Sequence, residues 1–251
     1  MVLCTHQGMK QRMQRVMKQI GIRFAARERY LGVDCYGRGR RSGTSAKTRR
    51  LSAMKTRTKR LQMLKRHGAK VHKVALAGIK PSVLYGCKAM GLSESHIRAL
   101  RSSISSCLPG QYMGRSTTLR LALHKADVQQ ECDSAPLTAW AATIWDGTMS
   151  DEDLADAWYW QSQKVGMHQV KDKPSKWSRV TGPAGACILT ARRIGWTWPA
   201  FNVFVDRSGR HINLRNVCPQ DVRAMVLLDS DAALWDKWTK QPQWASLAPR
   251  P

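Results

Sequence analysis

The charge of this chain is distributed very unevenly. Residues 1–126 contain 28 Lys and Arg but only three acids, so this half alone carries the whole net charge of +25. Residues 127–251 contain 14 residues of each sign. A compact state with so much charge of one sign repels itself. The asymmetry therefore predicts a polyanionic partner for the first half, with nucleic acid preferred and an anionic membrane surface as the other class.

The size and the remaining composition are those of a folded protein. The 251 residues are 43% hydrophobic, and this length can bury the core of one large or two ordinary domains. No run approaches the ~20 apolar residues of a membrane span. Because nucleic acid is the preferred explanation of the charge, no membrane partner is predicted. The first ten residues, MVLCTHQGMK, lack the apolar centre of a signal peptide. A nuclear or cytoplasmic, intracellular location is therefore predicted.

The seven cysteines are scattered along the chain and form no Cys-x-x-Cys pair. Because zinc sites need cysteine and histidine at characteristic spacings, no metal site is predicted and no cofactor is assigned. An odd number of cysteines favours reduced thiols, which fits the predicted location.

A long basic helix is predicted in the first half. Thr44 or Ser45 can cap its start, and Gly68 can end it near His67. No acid lies between Asp34 and Glu94, so the helix has none of the i,i+4 ion pairs that usually accompany a solvated charged face. A simple solvated face is the alternative interpretation, but binding of a polyanion explains the unopposed charge better.

The predicted helix has one narrow stripe that can face a core, made of Leu51, Met54, Thr58 and Leu61. The cations are expected to occupy most of the remaining circumference, and a Gly-rich basic loop at 37–43 precedes them. The candidate nucleic-acid-binding residues are Arg38, Arg40, Arg41, Lys47, Arg49, Arg50, Lys55, Arg57, Lys59, Arg60, Lys65 and Arg66.

An apolar segment, KPSVLYGCKAMG at 80–91, interrupts this basic tract. Pro81 suits the first turn of a short helix because its missing N–H has no partner there. Leu84 and Tyr85 are expected to bury against the apolar stripe of the basic helix, and Gly86 to permit close approach. The segment is thus predicted to hold the basic helix in place without contacting a ligand itself.

The fold class predicted from these signals is mainly α. A short strand-containing segment, with extended runs at 20–24 and 29–34, precedes a small helical bundle, in which Ser93 caps a helix that ends before Pro109. The second half is a helical region in which Pro136 opens one helix and Pro219 the last. One β-hairpin is expected near 201–214. The predicted domains are 1–36, 37–126 and 127–251.

No complete active site is visible in the sequence. It contains neither a Gly-x4-Gly-Lys-Ser/Thr phosphate loop nor a Gly-x-Ser-x-Gly nucleophile turn. It also contains no pair of adjacent aspartates after a strand, the arrangement that two-metal phosphoryl transfer would use.

Two stretches carry a family resemblance. ERYLGVDCYGRGRR at 28–41 and AGIKPSVLYGCKAMGLS at 77–93 are similar to the end of the palm and to the thumb of non-LTR (LINE-type) retrotransposon reverse transcriptases. In that family a Tyr-Leu-Gly-Val strand, a basic helix and a Pro-x-x-Leu-Tyr-Gly helix follow one another. The resemblance covers about residues 8–110, and implies that 1–36 is a palm remnant, 37–126 a thumb-like module and 127–251 a connection region.

The resemblance implies a nucleic-acid-binding part of an RNA-directed DNA polymerase that grips the backbone of template and primer. An intact polymerase of this family needs Mg²⁺, held by a Tyr-x-Asp-Asp turn that this sequence does not contain. The chain alone is therefore expected to bind an RNA–DNA hybrid or RNA without copying it, and an upstream polymerase segment is a further possible partner.

Two alternatives stay open at this point. One is a non-enzymatic basic RNA- or chromatin-binding protein. The other keeps catalysis, either with the upstream half of a polymerase on a separate chain or with a nuclease in the second half.

Overall fold

The computed structural model describes the strands among residues 2–36, and residues 46–110, 114, 116–166 and 176–240. In the first of these parts, β1 (Val2–Leu3) pairs in parallel with β2 (Phe24–Ala25), and β3 (Arg27–Tyr30) pairs antiparallel with β4 (Val33–Tyr36). Tyr30 is the partner of Val33 in this hairpin. The single extended run expected at 29–34 is therefore wrong, because Tyr30 ends one strand and Val33 begins the antiparallel one. Of the run expected at 20–24, only Phe24 is among the described residues, and it belongs to β2.

The rest of the described chain is mainly helical, as predicted. The helices are α1 (Ala46–Arg66), α2 (His72–Val74), α3 (Lys80–Leu84), α4 (Cys87–Met90), α5 (Glu94–Cys107), α6 (Thr117–Leu123), α7 (Gln129–Trp145), α8 (Asp151–Gly166), α9 (Pro183–Ile194) and α10 (Pro219–Thr239). A π-helical turn, Ala75–Ile79, joins α2 to α3, and a 3-10 turn, Lys176–Arg179, precedes α9. No helix in these ranges is long and apolar enough to cross a membrane.

Local signals set several helix ends, as the sequence predicted. The Ser93 hydroxyl accepts a hydrogen bond from the His96 N–H at the start of α5. Gly68 and Gly195 follow the ends of α1 and α9 with φ of 86° and 88°, in the left-handed region that glycine enters without a steric penalty. Pro219 is the first residue of α10.

One predicted boundary is wrong, because Pro136 lies inside α7 and does not open it. A proline within a helix leaves the carbonyl four residues earlier without its usual donor. Here that carbonyl belongs to Cys132, and the buried Cys87 thiol donates to it at 3.8 Å. A neighbouring helix thus supplies the hydrogen bond that the proline removes.

The first core lies among the helices of the small bundle, α1 to α6. Leu100 and Ile104 of α5 are fully buried in it, and the apolar stripe of α1 packs on the same cluster. The prediction for the apolar segment at 80–91 is only partly right. Val83 and Cys87 are its buried side chains, at 4% and 3% exposure, and Leu84 is partly buried. The prediction for Tyr85 is wrong, because its side chain is 51% exposed.

The second core joins α7 to α10 with a three-stranded antiparallel sheet. The predicted hairpin is present as β6 (Val203–Val205) and β7 (His211–Asn213), with the turn at Asp206 to Gly209. A further strand, β5 (Thr197–Ala200), pairs with β6 and was not predicted. Trp158 packs between Trp140 and Phe204, with ring centroids 5.3 and 5.6 Å away.

Helix α7 connects the two cores. Cys132 near its start belongs to the first cluster of buried side chains, and Leu137 and the residues that follow belong to the second.

Candidate nucleic-acid interface

Helix α1 is fixed to the bundle by one face only. Leu51, Met54 and Leu61 are buried on that face. Thr58 is also buried there, and its hydroxyl donates to the Met54 carbonyl at 2.9 Å, so it brings no unpaired polar atom into the core. The predicted stripe is therefore confirmed, and the opposite side of the helix is left to solvent.

Six of the predicted cations lie exposed on α1: Arg49, Lys55, Arg57, Lys59, Arg60 and Arg66. Arg57 donates to the Ser82 hydroxyl at 3.3 Å, a neutral partner. Among the described residues, the other five have neither an ion pair nor a hydrogen bond from their side chains. No acid is present in α1 to neutralise them.

The five unpaired cations form two rows along the helix. At 100° per residue, Lys55, Lys59 and Arg66 fall within about 40° of one another, and Arg49 and Arg60 lie about 100° further round. From Arg49 to Arg66 the helix rises about 25 Å, which equals the length of about seven phosphates on one strand of a duplex. The surface is therefore long enough to span several phosphates of a nucleic-acid strand, and its charge is opposite to theirs.

Lys65 was predicted to bind phosphate, but it points into the bundle. Its ammonium group donates to the carbonyls of Ser106 and Gly110 at 3.2 and 2.9 Å, and to that of Leu108. These carbonyls follow or form the last turn of α5, where a helix has unsatisfied acceptors and a partial negative charge. Burial, and next the charge of Arg120, lower the pKa of Lys65.

Lys47 and Arg50 also have partners within the protein. Lys47 donates to the Gly91 carbonyl at 2.9 Å and lies 5.9 Å from the centre of the Trp177 ring. Arg50 donates to the Tyr85 carbonyl at 2.9 Å, and its guanidinium stacks 4.7 Å from the centre of the Tyr85 ring. These two cations hold the middle and the end of the 80–91 segment against α1.

The predicted nucleic-acid-binding residues on α1 thus fall into two groups: cations exposed on the helix surface, and anchors whose charged groups bind carbonyls of the protein. Lys47, Arg50 and Lys65 are anchors, so they are left out of the proposed contacts. Arg38, Arg40 and Arg41 lie outside the described residues.

A charged junction that was not predicted connects the two cores. Arg193 of α9 is 4% exposed; its Nε donates to Asp133 of α7 at 2.6 Å, and its Nη1 donates to the Leu92 carbonyl at 2.7 Å. The Trp177 indole donates to the Glu94 carboxylate at 3.0 Å, and its ring lies directly against Gly91. Sequence spacing carries no signal for such a junction, since its members are up to 101 residues apart.

The described residues contain no group of three or more His, Cys, Asp or Glu side chains that could hold a metal ion. Comparison of the sequence with protein-family models and with curated proteins, and of the fold with solved structures, finds no match.

Proposed function

We propose that this chain binds the phosphate backbone of a nucleic-acid duplex through the exposed face of α1, within a cell. The proposal rests on one observation above the others. Arg49, Lys55, Lys59, Arg60 and Arg66 are exposed and unpaired in the described part of the chain, on a helix that carries no acid and whose apolar face is already buried. Such an array binds anions without reading bases.

The resemblance to non-LTR reverse transcriptases gives the proposal its finer form, in which the duplex is a template paired with a primer. The order of helices supports it, since the basic helix α1 and the short helix α3 with Pro81 follow one another as in that family. The strand at the start differs, because Tyr30 and Val33 lie in two paired strands and not in one. In this role α3 and the turn after it orient α1, because Arg50 and Lys47 bind backbone carbonyls of the 80–91 segment. The protein would grip the nucleic acid as a thumb does.

The salt dependence of binding tests the proposal directly. With five phosphate contacts on B-DNA, log Kobs should fall against log[salt] with a slope of about −4 to −5. Replacing Lys55, Lys59 and Arg66 by Ala should bring the slope about three units closer to zero, since each phosphate contact contributes about one. Fluorescence anisotropy with a labelled duplex of about 20 bp, over a salt range of about 50 to 300 mM, measures both values.

A matched control variant removes three positive charges from parts of the protein outside α1. Lys164, Lys176 and Lys240 are exposed and lie on other elements, so their triple replacement by Ala should leave the slope unchanged. Equal losses in the two triple variants would show that total charge, and not the α1 surface, drives binding. A slope near zero in the wild-type chain would refute the proposal.

The choice of probe separates the thumb from a non-enzymatic basic RNA- or chromatin-binding protein. A thumb should bind an RNA–DNA hybrid at least several-fold more tightly than a single strand of the same sequence, because the spacing of its cations is fixed by the bundle. A protein that coats RNA should not prefer the hybrid. Mg²⁺-dependent nucleotide incorporation on a primed template tests whether the chain also has catalytic activity.

A further inference from the structure

A cleft of about 360 Å³ lies where α5, α7, α9 and α10 meet, at the charged junction of the two cores. Its volume falls in the range of small-molecule sites in proteins. Arg98 and Arg101 of α5 form part of one wall and Lys237 of α10 part of another, with Arg193 and Asp133 between them. None of these residues belongs to the α1 surface.

The acids that line the cleft already have donors. Asp133 accepts from Arg193 at 2.6 Å, from Gln129 at 2.8 Å and from the Ser230 hydroxyl at 2.7 Å. Glu94 accepts from the Trp177 indole at 3.0 Å. Both carboxylates are therefore committed to the framework of the cleft.

Two of the cations that line the cleft, unlike its acids, have no partner in the part of the chain that the structure describes. Within the described ranges, Arg98 and Lys237 are exposed and have no acid or carbonyl partner. The Nη2 of Arg193 is buried and forms an ion pair with Asp133 at 2.5 Å, so this cation already has its partner. The cleft cations without a partner in the described residues are thus Arg98 and Lys237, and an anion in the cleft would pair with both.

The other walls indicate what kind of anion fits. Arg101 is held in place by Asp127, at 2.7 and 3.0 Å, and by the Thr118 hydroxyl at 3.2 Å. A side chain ordered in this way loses little entropy when a ligand binds. Ile194 and Leu234 add an apolar wall, which suits a base or a sugar more than a bare inorganic ion.

We propose that this cleft binds the terminal phosphate of a nucleotide. Two unpaired cations on different walls suit a phosphomonoester, whose charge at pH 7 is close to −2, better than the single charge of an internal phosphodiester. Such a group occurs on a free nucleotide and at the 5′ end of a strand. The proposal does not depend on duplex binding by α1, since the two surfaces share no residue.

The test uses the full chain and three probes: AMP, an eight-nucleotide single strand with a 5′-phosphate, and the same strand with a 5′-hydroxyl. AMP binding is measured by calorimetry and strand binding by anisotropy of a 3′ label. We expect the 5′-phosphate to tighten binding of the strand at least fivefold, or AMP to bind on its own. The first result identifies a strand end as the ligand, and the second identifies a free nucleotide.

The variants locate the site. The double variant Arg98→Ala, Lys237→Ala should weaken binding of the successful probe at least tenfold, whereas Arg223→Ala should not, since it removes a cation from the far end of α10. The Lys55, Lys59 and Arg66 triple variant should keep the preference for the 5′-phosphate even where duplex binding is lost. The proposal is overturned if AMP does not bind and the two strands bind alike, or if the double variant binds like the wild type.

Discussion

Substitution of Gly91 by Ala should destabilise the protein strongly, because this glycine sits where the two cores touch. Its φ of 56° and ψ of −179° belong to a region of backbone space that only glycine occupies readily. A Cβ at this position would overlap Cζ3 of Trp177 and lie 2.9 Å from Cη2 of the same ring. The Trp177 ring is 5% exposed and tied to Glu94, so it has little room to move.

The two costs can be estimated separately. The backbone conformation should cost about 1–3 kcal/mol, and forcing the buried ring aside about the same again. Urea unfolding should therefore show a fall of about 2–6 kcal/mol in the free energy of unfolding, a large part of the ~5–15 kcal/mol of an ordinary domain. In a Trp177→Leu background the steric part should be absent, so that Gly91→Ala costs only the backbone part.

Gly78 provides the matched control, because it lies in the helical turn Ala75–Ile79 and a methyl group added there would meet no atom within 4 Å. Gly78→Ala should leave stability unchanged or raise it by up to about 1 kcal/mol, since alanine favours helical backbone. Ordinary surface substitutions change the free energy of unfolding by less than about 0.5 kcal/mol. If Gly91→Ala stays within that range, the Trp177 ring does not pack against Gly91 and the reasoning is refuted.

Three further predictions concern the bundle and the junction. Burial lowers the pKa of His96 to about 4 from the ordinary 6.5, so the folded state binds fewer protons between these values. Stability should be complete above about pH 6.5 and fall as the pH drops to about 4, by about 1–2 kcal/mol, which is less than the ~3 kcal/mol of the whole shift because the ring is only half-buried and partly screened by solvent. In His96→Gln that part of the fall should vanish from pH-dependent urea titrations. In thermal or urea unfolding, Val83→Ala should lower the free energy of unfolding by about 1–3 kcal/mol, and Tyr85→Ala by less than about 1 kcal/mol. A larger loss for Tyr85→Ala than for Val83→Ala would instead support the sequence prediction that Tyr85 is buried. Arg193→Met should cost about 3–5 kcal/mol because it leaves Asp133 charged and buried, and replacing both residues by apolar ones should recover part of that loss in the same assay.

The helix ends were predictable because their signals are local. Ser93, Gly68, Gly195 and Pro219 each act within a few residues of their own position, through a cap, a left-handed turn or a missing N–H. The hairpin at 203–213 was predictable for the same reason. Strand β5 was missed because it contains Pro199, which has no N–H for a strand ladder and therefore argues against a strand in the sequence.

The candidate surface was predictable in outline but not in membership. Lys47 and Lys65 are 18 residues apart, about five full turns, so they lie at the same angle on α1, in the middle of its buried face. The sequence prediction used only their charge, so it counted both lysines as phosphate-binding residues. Only the positions of Gly91 and of the last turn of α5 show that each lysine has a carbonyl to bind.

The sequence by itself determined that the first half carries a large unopposed positive charge and that its part from residue 46 onward is helical, because composition and helical periodicity are properties of the chain. The tertiary structure decided which cations are exposed, that Tyr85 lies outside the core, and that Arg98 and Lys237 face one cleft. These facts depend on contacts between residues far apart in the chain. A side chain's partner, and therefore its availability to a ligand, is set by what packs beside it and not by its neighbours in sequence.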